Sequence, residues 1–183
     1  MNFLKTDIEG VYIIEPVVFG DHRGYFMETF RQDLFEAAVG PVSFVQENES
    51  YSRYGVVRGL HFQAEPYAQA KLVRVIRGRV WDVALDIRPG SPTFGRHIGV
   101  ELSGENHRQF FVPRGFAHGF AVLSEDAVFA YKVDNVYAPQ SERSIRFDDP
   151  DVGIDWPVPA ADRICSGKDL RAPSWREVFP PSK

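Results

Sequence analysis

The 183-residue chain carries 21 Lys and Arg against 25 Asp and Glu, a formal net charge of -4. That balance offers no long-range attraction to nucleic acid or anionic membranes, so any phosphate-bearing ligand needs locally placed Arg and Lys. With 44% hydrophobic residues and 15 Phe, the length suits one domain spanning 1–183 around an aromatic-rich core. Cys165 is the only cysteine, which rules out an internal disulfide and suits a reducing cytoplasm; as a small buried residue it needs no chemical role. The opening residues Met1-Asn-Phe-Leu-Lys-Thr-Asp lack a signal-peptide pattern, and no apolar run is long enough for a membrane helix. A soluble, cytoplasmic protein is expected.

In chain order, Val11 to Phe19 is rich in β-branched and aromatic residues and stops at the turn-like Gly20-Asp-His-Arg-Gly24; Tyr25 to Phe30 resumes an extended pattern. Arg31 to Val39 reads as a helix, with Leu34, Phe35, Ala38 and Val39 on one face and Gly40-Pro41 as its stop. Lys71–Ile76 and Val80–Ile87 flank Arg77-Gly78-Arg79, which predicts a hairpin. In its second arm Trp81, Val83, Leu85 and Ile87 alternate with Val80, Asp82, Ala84 and Asp86, so one face should meet a core and the other solvent or a cavity. Further strands are expected around 96–102, 109–112, 119–123, 128–137 and 144–147. From Asp148 the Pro-rich chain looks irregular, with a short helix near its end. Many short strands separated by turns predict a β-sandwich or barrel.

Pro113-Arg-Gly-Phe-Ala-His118-Gly resembles the second cupin motif, Pro-x-Gly-x-x-His. The first cupin motif supplies His-x-His and a later acid to a metal, but the matching place here reads His61-Phe62-Gln63, followed by Lys71. Gln is a poor transition-metal ligand and a lysine repels a cation, so no metal is expected. A lone strand histidine is usually a satisfied core group. Arg58, Gln63 and Lys71 crowd polar groups around His61, however, which favours a neutral-range base. On sequence alone Asp169 is equally an exposed loop acid and the carboxylate that orients this imidazole. Lys71 is either a solvated strand-end lysine or the group that holds an enolate oxygen. Tyr131 shares a face with Phe129 and Val133, which makes it a core aromatic first and a proton donor at a pocket rim second. Arg23 and Arg58 each adjoin a glycine and suit phosphate clamping, although an ordinary ion pair explains either alone.

Taken together these segments resemble the dTDP-4-dehydrorhamnose 3,5-epimerase family. The matching pieces include Gly20-Asp-His-Arg-Gly-Tyr-Phe-Met-Glu-Thr-Phe, Val57-Arg-Gly-Leu-His-Phe-Gln, Lys71-Leu-Val-Arg-Val-Ile-Arg-Gly, Tyr131-Lys and Ser166-Gly-Lys-Asp, in the family's order over nearly the whole chain. The resemblance implies a mainly β, cupin-like double-stranded β-helix (jelly roll) with few short helices. It implies His61 as base, Asp169 as its partner, Tyr131 as the opposing acid and Lys71 at the C4 oxygen. His118, Arg23, Glu28, Gln46, Asn48, Arg58, Glu142 and Lys168 match substrate-binding positions, and Tyr137 an aromatic that stacks on thymine. The implied reaction is epimerisation at C3 and C5 of a dTDP-4-keto-6-deoxy sugar, with no cofactor and no metal, in a homodimer that exchanges N-terminal strands. A single-site epimerase, a keto-sugar isomerase, a non-catalytic nucleotide-sugar-binding cupin and a metal-dependent cupin are the competing readings. Glu49, Tyr51 and Tyr67 depart from the family pattern, and their closeness in sequence to the base and lysine suggests that they tune specificity.

Overall fold

The computed structural model describes residues 1–181; the last two residues of the expected 1–183 domain lie outside them. The first strands are β1 (Asn2–Lys5), β2 (Tyr12–Glu15), β3 (Val18–Asp21) and β4 (Gly24–Met27), followed by helix α1 (Gln32–Val39). Next come β5 (Gln46–Arg53), β6 (Val57–Gln63), β7 (Lys71–Arg77), β8 (Arg79–Asp86) and β9 (His97–Ser103). The series closes with β10 (Gln109–Val112), β11 (Phe116–Val122), β12 (Asp126–Val133) and β13 (Glu142–Ser144), then the one-turn helices α2 (Gly167–Leu170) and α3 (Trp175–Val178).

All strand pairs are antiparallel. A six-stranded sheet runs β1-β2-β10-β7-β12-β5 and a five-stranded sheet runs β13-β6-β11-β8-β9, while β3 and β4 form a separate hairpin. The alternation of β-strand side chains sorts the core into layers. Val73, Val75, Phe110 and Phe129 of the first sheet meet Val80, Ala84, Phe116 and Phe120 of the second in the space between them. Phe120 and Phe129 stack there with centroids 4.3 Å apart. On the outer face of the six-stranded sheet, Phe35 of α1 packs edge-on against Phe111 at 5.1 Å and joins Ile14, Ala70 and Leu72. On the outer face of the other sheet, Val83, Leu85, Ala117 and Ala121 are covered by Phe147, Trp156 and Val158 from the irregular segment. This is the expected cupin-like jelly roll with few helices.

Two expectations need correction. The run 11–19 is two strands, because Pro16 and Val17 separate β2 from β3; a proline has no N–H for the ladder. The hairpin at Arg77-Gly78-Arg79 does not exist: β7 pairs with β10 and β12, whereas β8 pairs with β11 and β9 in the other sheet. Gly78, at φ +81, is the corner at which the chain changes sheets, and a Cβ there would overlap the Asp126 carbonyl. The two-faced reading of β8 holds, with the interior taking the place of solvent: Val80, Asp82, Val83, Ala84, Leu85 and Asp86 are all buried, Trp81 is partly so and Arg79 is exposed. One face lines the interior and the irregular segment covers the other.

Gly90 also has a positive φ, +80, but nothing stands within 4 Å of its missing Cβ. Gly90→Ala is therefore expected to cost only the left-handed backbone term of about 1 kcal/mol, whereas Gly78→Ala adds a backbone clash and should cost about 2 kcal/mol or more. Chemical denaturation of the two variants measures the difference.

Candidate active site

The interior between the sheets is apolar at one end and polar at the other. Inward positions of β5, β6, β7 and β12 place Gln46, Asn48, His61, Gln63, Lys71 and Tyr131 around a cavity of about 330 Å³, with Phe62, Gln69, Tyr137 and Glu142 completing its wall. His61 and Tyr131 stand on different sheets and so approach this space from opposite sides. Gly59 and Gly119 let β6 and β11 come close: a Cβ on Gly59 would lie 2.6 Å from the Gly119 Cα. That approach sits beside the register pair His61–His118.

His61 Nε2 lies 2.5 Å from Asp169 Oδ1. A carboxylate only accepts, so Nε2 carries the proton and Nδ1, unpartnered among the described residues, is the basic nitrogen. Asp169 is itself buried and fixed: Ser166 Oγ donates to its Oδ2 at 2.7 Å and accepts its backbone N–H at 3.1 Å. Burial pushes the Asp169 carboxyl up, but the hydrogen bonds from His61 and Ser166 outweigh it and hold the group below its ordinary value. The sequence left this contact open; the fold makes it across 108 residues.

The Lys71 ammonium has no hydrogen-bonding or ion-pair partner among the described residues. Burial lowers its ammonium to about 8, opposed by the negative charges of Asp82 and Glu142. His118, only 7% exposed, lies behind the cavity lining with Nε2 at 2.8 Å from Asp82 Oδ1. Burial drives this pair toward neutrality, raising the acid and lowering the imidazole. Burial likewise raises the Tyr131 phenol, offset in part by Arg58 and Asn48, so the hydroxyl keeps its proton near neutral pH. Tyr131 is thus both things the sequence allowed, packing against the interior cluster and lining the cavity.

Glu142 joins the mouth of the cavity to the irregular segment. It accepts from the Tyr137 hydroxyl at 2.9 Å and pairs with Lys168 Nζ at 2.5 Å. Burial raises its carboxyl, yet those two donors bring it below the ordinary value. Arg58 stays exposed with its guanidinium on Ser52 Oγ, at 3.1–3.2 Å, outside the cavity lining. Arg23 stands at the tip of the β3–β4 hairpin, paired with Asp21 and 78% exposed at its side chain, and Glu28 follows the same hairpin. Neither borders the cavity.

Glu49 and Tyr51 are not beside the base. On β5 the even positions 46, 48 and 50 are half-buried and 52 is buried, whereas 47, 49, 51 and 53 are exposed. Their proximity in sequence is undone by the two-residue period. Tyr67 offers its carbonyl to Gln63 and does not line the cavity. Sequence reasoning missed Gln69, Phe62 and the buried Asp82 as parts of the site. Asp82 alone gave a signal, as a carboxylate in an otherwise apolar strand.

Among the described residues no three His, Cys, Asp or Glu side chains gather as a metal-binding group, and no helix is long and apolar enough to cross a membrane. What the cavity offers is an imidazole held by a carboxylate on one sheet and a phenol on the other, with a lysine in the same lining: groups able to take and give protons, as an enzyme that inverts a carbon centre requires. The model of the dTDP-4-dehydrorhamnose 3,5-epimerase family matches residues 5–177, and the chain belongs to that family. The dTDP-4-dehydrorhamnose 3,5-epimerase of Shigella flexneri is 56% identical over 171 residues, 93% of each chain. The crystal structure of the enzyme of that name from Elizabethkingia anophelis NUHP1 superposes with a TM-score of 0.93 at 56% identity, covering 97% of both chains. A Legionella pneumophila dTDP-6-deoxy-D-glucose-3,5-epimerase in complex with dTDP-4-keto-L-rhamnose gives 0.91 at 51% identity, over 94% of this chain and 92% of that one.

The Lys71 ammonium is expected to titrate with a midpoint near 8, well below an ordinary lysine. Asp82→Asn removes a charge that favours the ammonium and should move the midpoint lower still. NMR of isotopically methylated lysines, with Lys71→Arg to assign the signal, measures both.

Proposed function

We propose that this chain epimerises dTDP-4-keto-6-deoxy-glucose at C3 and C5 to dTDP-4-keto-rhamnose, a step of dTDP-L-rhamnose biosynthesis in the cytoplasm. The observation that carries this reading is the His61–Asp169 pair on one side of the cavity and Tyr131 on the other, with the unpaired Lys71 in the same space.

The C4 ketone makes the hydrogens on C3 and C5 acidic, because the electrons of the broken C–H bond move into an enolate. In the proposed mechanism His61 Nδ1 takes the proton. The Asp169 carboxylate stabilises the resulting imidazolium, and the Lys71 ammonium faces the negative C4 oxygen. The Tyr131 hydroxyl delivers a proton to the opposite face, inverting the centre. Exchange with water then returns one proton to the phenolate and removes one from the imidazolium, so the enzyme ends as it began. Oxidation state is unchanged throughout, and the reaction calls for no redox cofactor. Nor does the donor set His61, Gln63 and Lys71 suit a transition metal.

The nucleotide is assigned to the mouth of the cavity, with Tyr137 stacking on thymine and Gln46, Asn48, Glu142 and Lys168 around the ligand. Arg23 and Glu28 fit this reading through a second copy of the chain. The β3–β4 hairpin exposes Phe19, Tyr25 and Phe26 by 59–70%, a surface that a homodimer with exchanged N-terminal strands would cover. Arg23 at its tip would then reach the partner's diphosphate.

In deuterated water the substrate is expected to take up label at both C3 and C5, read by NMR. Label at one carbon only would replace this reading with a single-site epimerase, and binding without label would make the protein a nucleotide-sugar-binding module. His61→Ala should slow both exchanges by about 10²–10⁴-fold. Arg23→Ala should raise KM about tenfold with kcat nearly unchanged, because a diphosphate contact serves ground and transition states alike; steady-state kinetics separates the two constants.

A further inference from the structure

Three glutamines converge on the segment that carries Tyr137. Gln63, only 7% exposed, commits its whole amide to main chain. Its Nε2 donates to the Tyr67 carbonyl at 2.6 Å and to the Val136 carbonyl at 3.2 Å, and its Oε1 accepts from the Ala138 N–H at 2.7 Å. Gln69 Nε2 donates to the Asn135 carbonyl at 2.7 Å, and Gln46 Oε1 accepts from the Tyr137 N–H at 3.1 Å. Residues 135–138 belong to no strand or helix, so these side chains take the place of a ladder in fixing the backbone.

Two of the Gln63 bonds fall immediately before and after Tyr137. Together they set the position of its Cα and the direction in which its side chain leaves the chain. Tyr137 is 54% exposed, and among the described residues its hydroxyl is held only by Glu142. Position 63 is also where the cupin pattern puts its second histidine. An imidazole has two ring nitrogens and cannot donate to two carbonyls while accepting from an N–H, whereas a primary amide does all three.

We propose that Gln63 is a positioning residue that holds the Tyr137 ring at the cavity mouth, and so controls nucleotide binding apart from proton transfer at His61. This rests on the reading above that Tyr137 stacks on the base. Removing the Gln63 amide leaves the Val136 carbonyl and the Ala138 N–H of the segment, and the Tyr67 carbonyl of the neighbouring loop, without partners, and the freed backbone must be reordered each time nucleotide binds.

The test is a double-mutant cycle on dTDP affinity, measured by calorimetry for the parent chain, Gln63→Met, Tyr137→Ala and the combined variant, with steady-state kinetics and melting temperatures in parallel. Each single variant is expected to bind dTDP about tenfold more weakly. The combination should bind no more weakly than Tyr137→Ala alone, because Gln63 acts through that ring. The kcat of Gln63→Met should stay within about twofold of the parent value, a split that general loosening of the fold would not give. Normal dTDP affinity in Gln63→Met, losses that multiply in the combined variant, or a fall in kcat as large as that in affinity would each overturn the proposal. Full affinity in Tyr137→Ala would instead overturn the stacking reading, and this inference with it. If Gln63→Met does not fold, Gln63→Glu keeps the acceptor for the Ala138 N–H but sets a carboxylate oxygen against the Tyr67 and Val136 carbonyls; it carries the same cycle, with a loss at least as large expected.

Discussion

Between two packed sheets the default filling is hydrocarbon, and the constraint on which this molecule turns is that half of that space is polar. Burying an ionisable group is costly unless it is paired or shifts toward neutrality. Each inward group meets this in its own way. Asp169 is paired with His61 and Ser166, and Asp82 with His118. Tyr131 keeps its proton. Lys71 is the exception: with no carboxylate in contact it meets the cost as a lowered affinity for its proton. The apolar half, with Phe110, Phe120 and Phe129 at its centre, makes this tolerable by supplying the burial that the polar half gives up.

The irregular segment after β13 is as important as the strands. It covers the outer face of the five-stranded sheet with Phe147, Trp156 and Val158, which is why β8 is buried on both sides from Asp82 to Asp86. It then returns to the open end with Lys168 and Asp169, each paired to a strand residue. Packing on one face and charge pairing at the rim therefore belong to one continuous piece of chain.

Much of this was legible in the sequence, and the failures have physical causes. The helix at 32–39 showed in its apolar stripe and its Gly-Pro stop, and the central strands in their β-branched and aromatic content. β5 went unread because its inward face lines the cavity: Gln46, Asn48, Ser50 and Ser52 are as polar as the outward Glu47 and Glu49, so no contrast marks the period of two. The corner at Gly78 was read as a hairpin because glycine serves both turns, and which strands pair afterwards is a long-range matter. His61, Lys71 and Tyr131 could be nominated from their neighbours. Asp169 stood level with an ordinary loop acid until the resemblance, since nothing local ties it to a residue 108 positions earlier. Gln63 was seen as out of place in a strand, but the three main-chain groups it serves lie in two loops that the sequence does not bring together.

That long reach of Asp169 has a consequence for how the molecule comes into being. Both sheets are complete by Ser144, so pairing of the strands needs nothing from the stretch that holds the carboxylate. Until that stretch docks, the imidazole lacks the partner that fixes its tautomer. Assembly of the scaffold and arming of the site thus draw on different parts of the chain, and the second waits on a short stretch that contributes no strand at all.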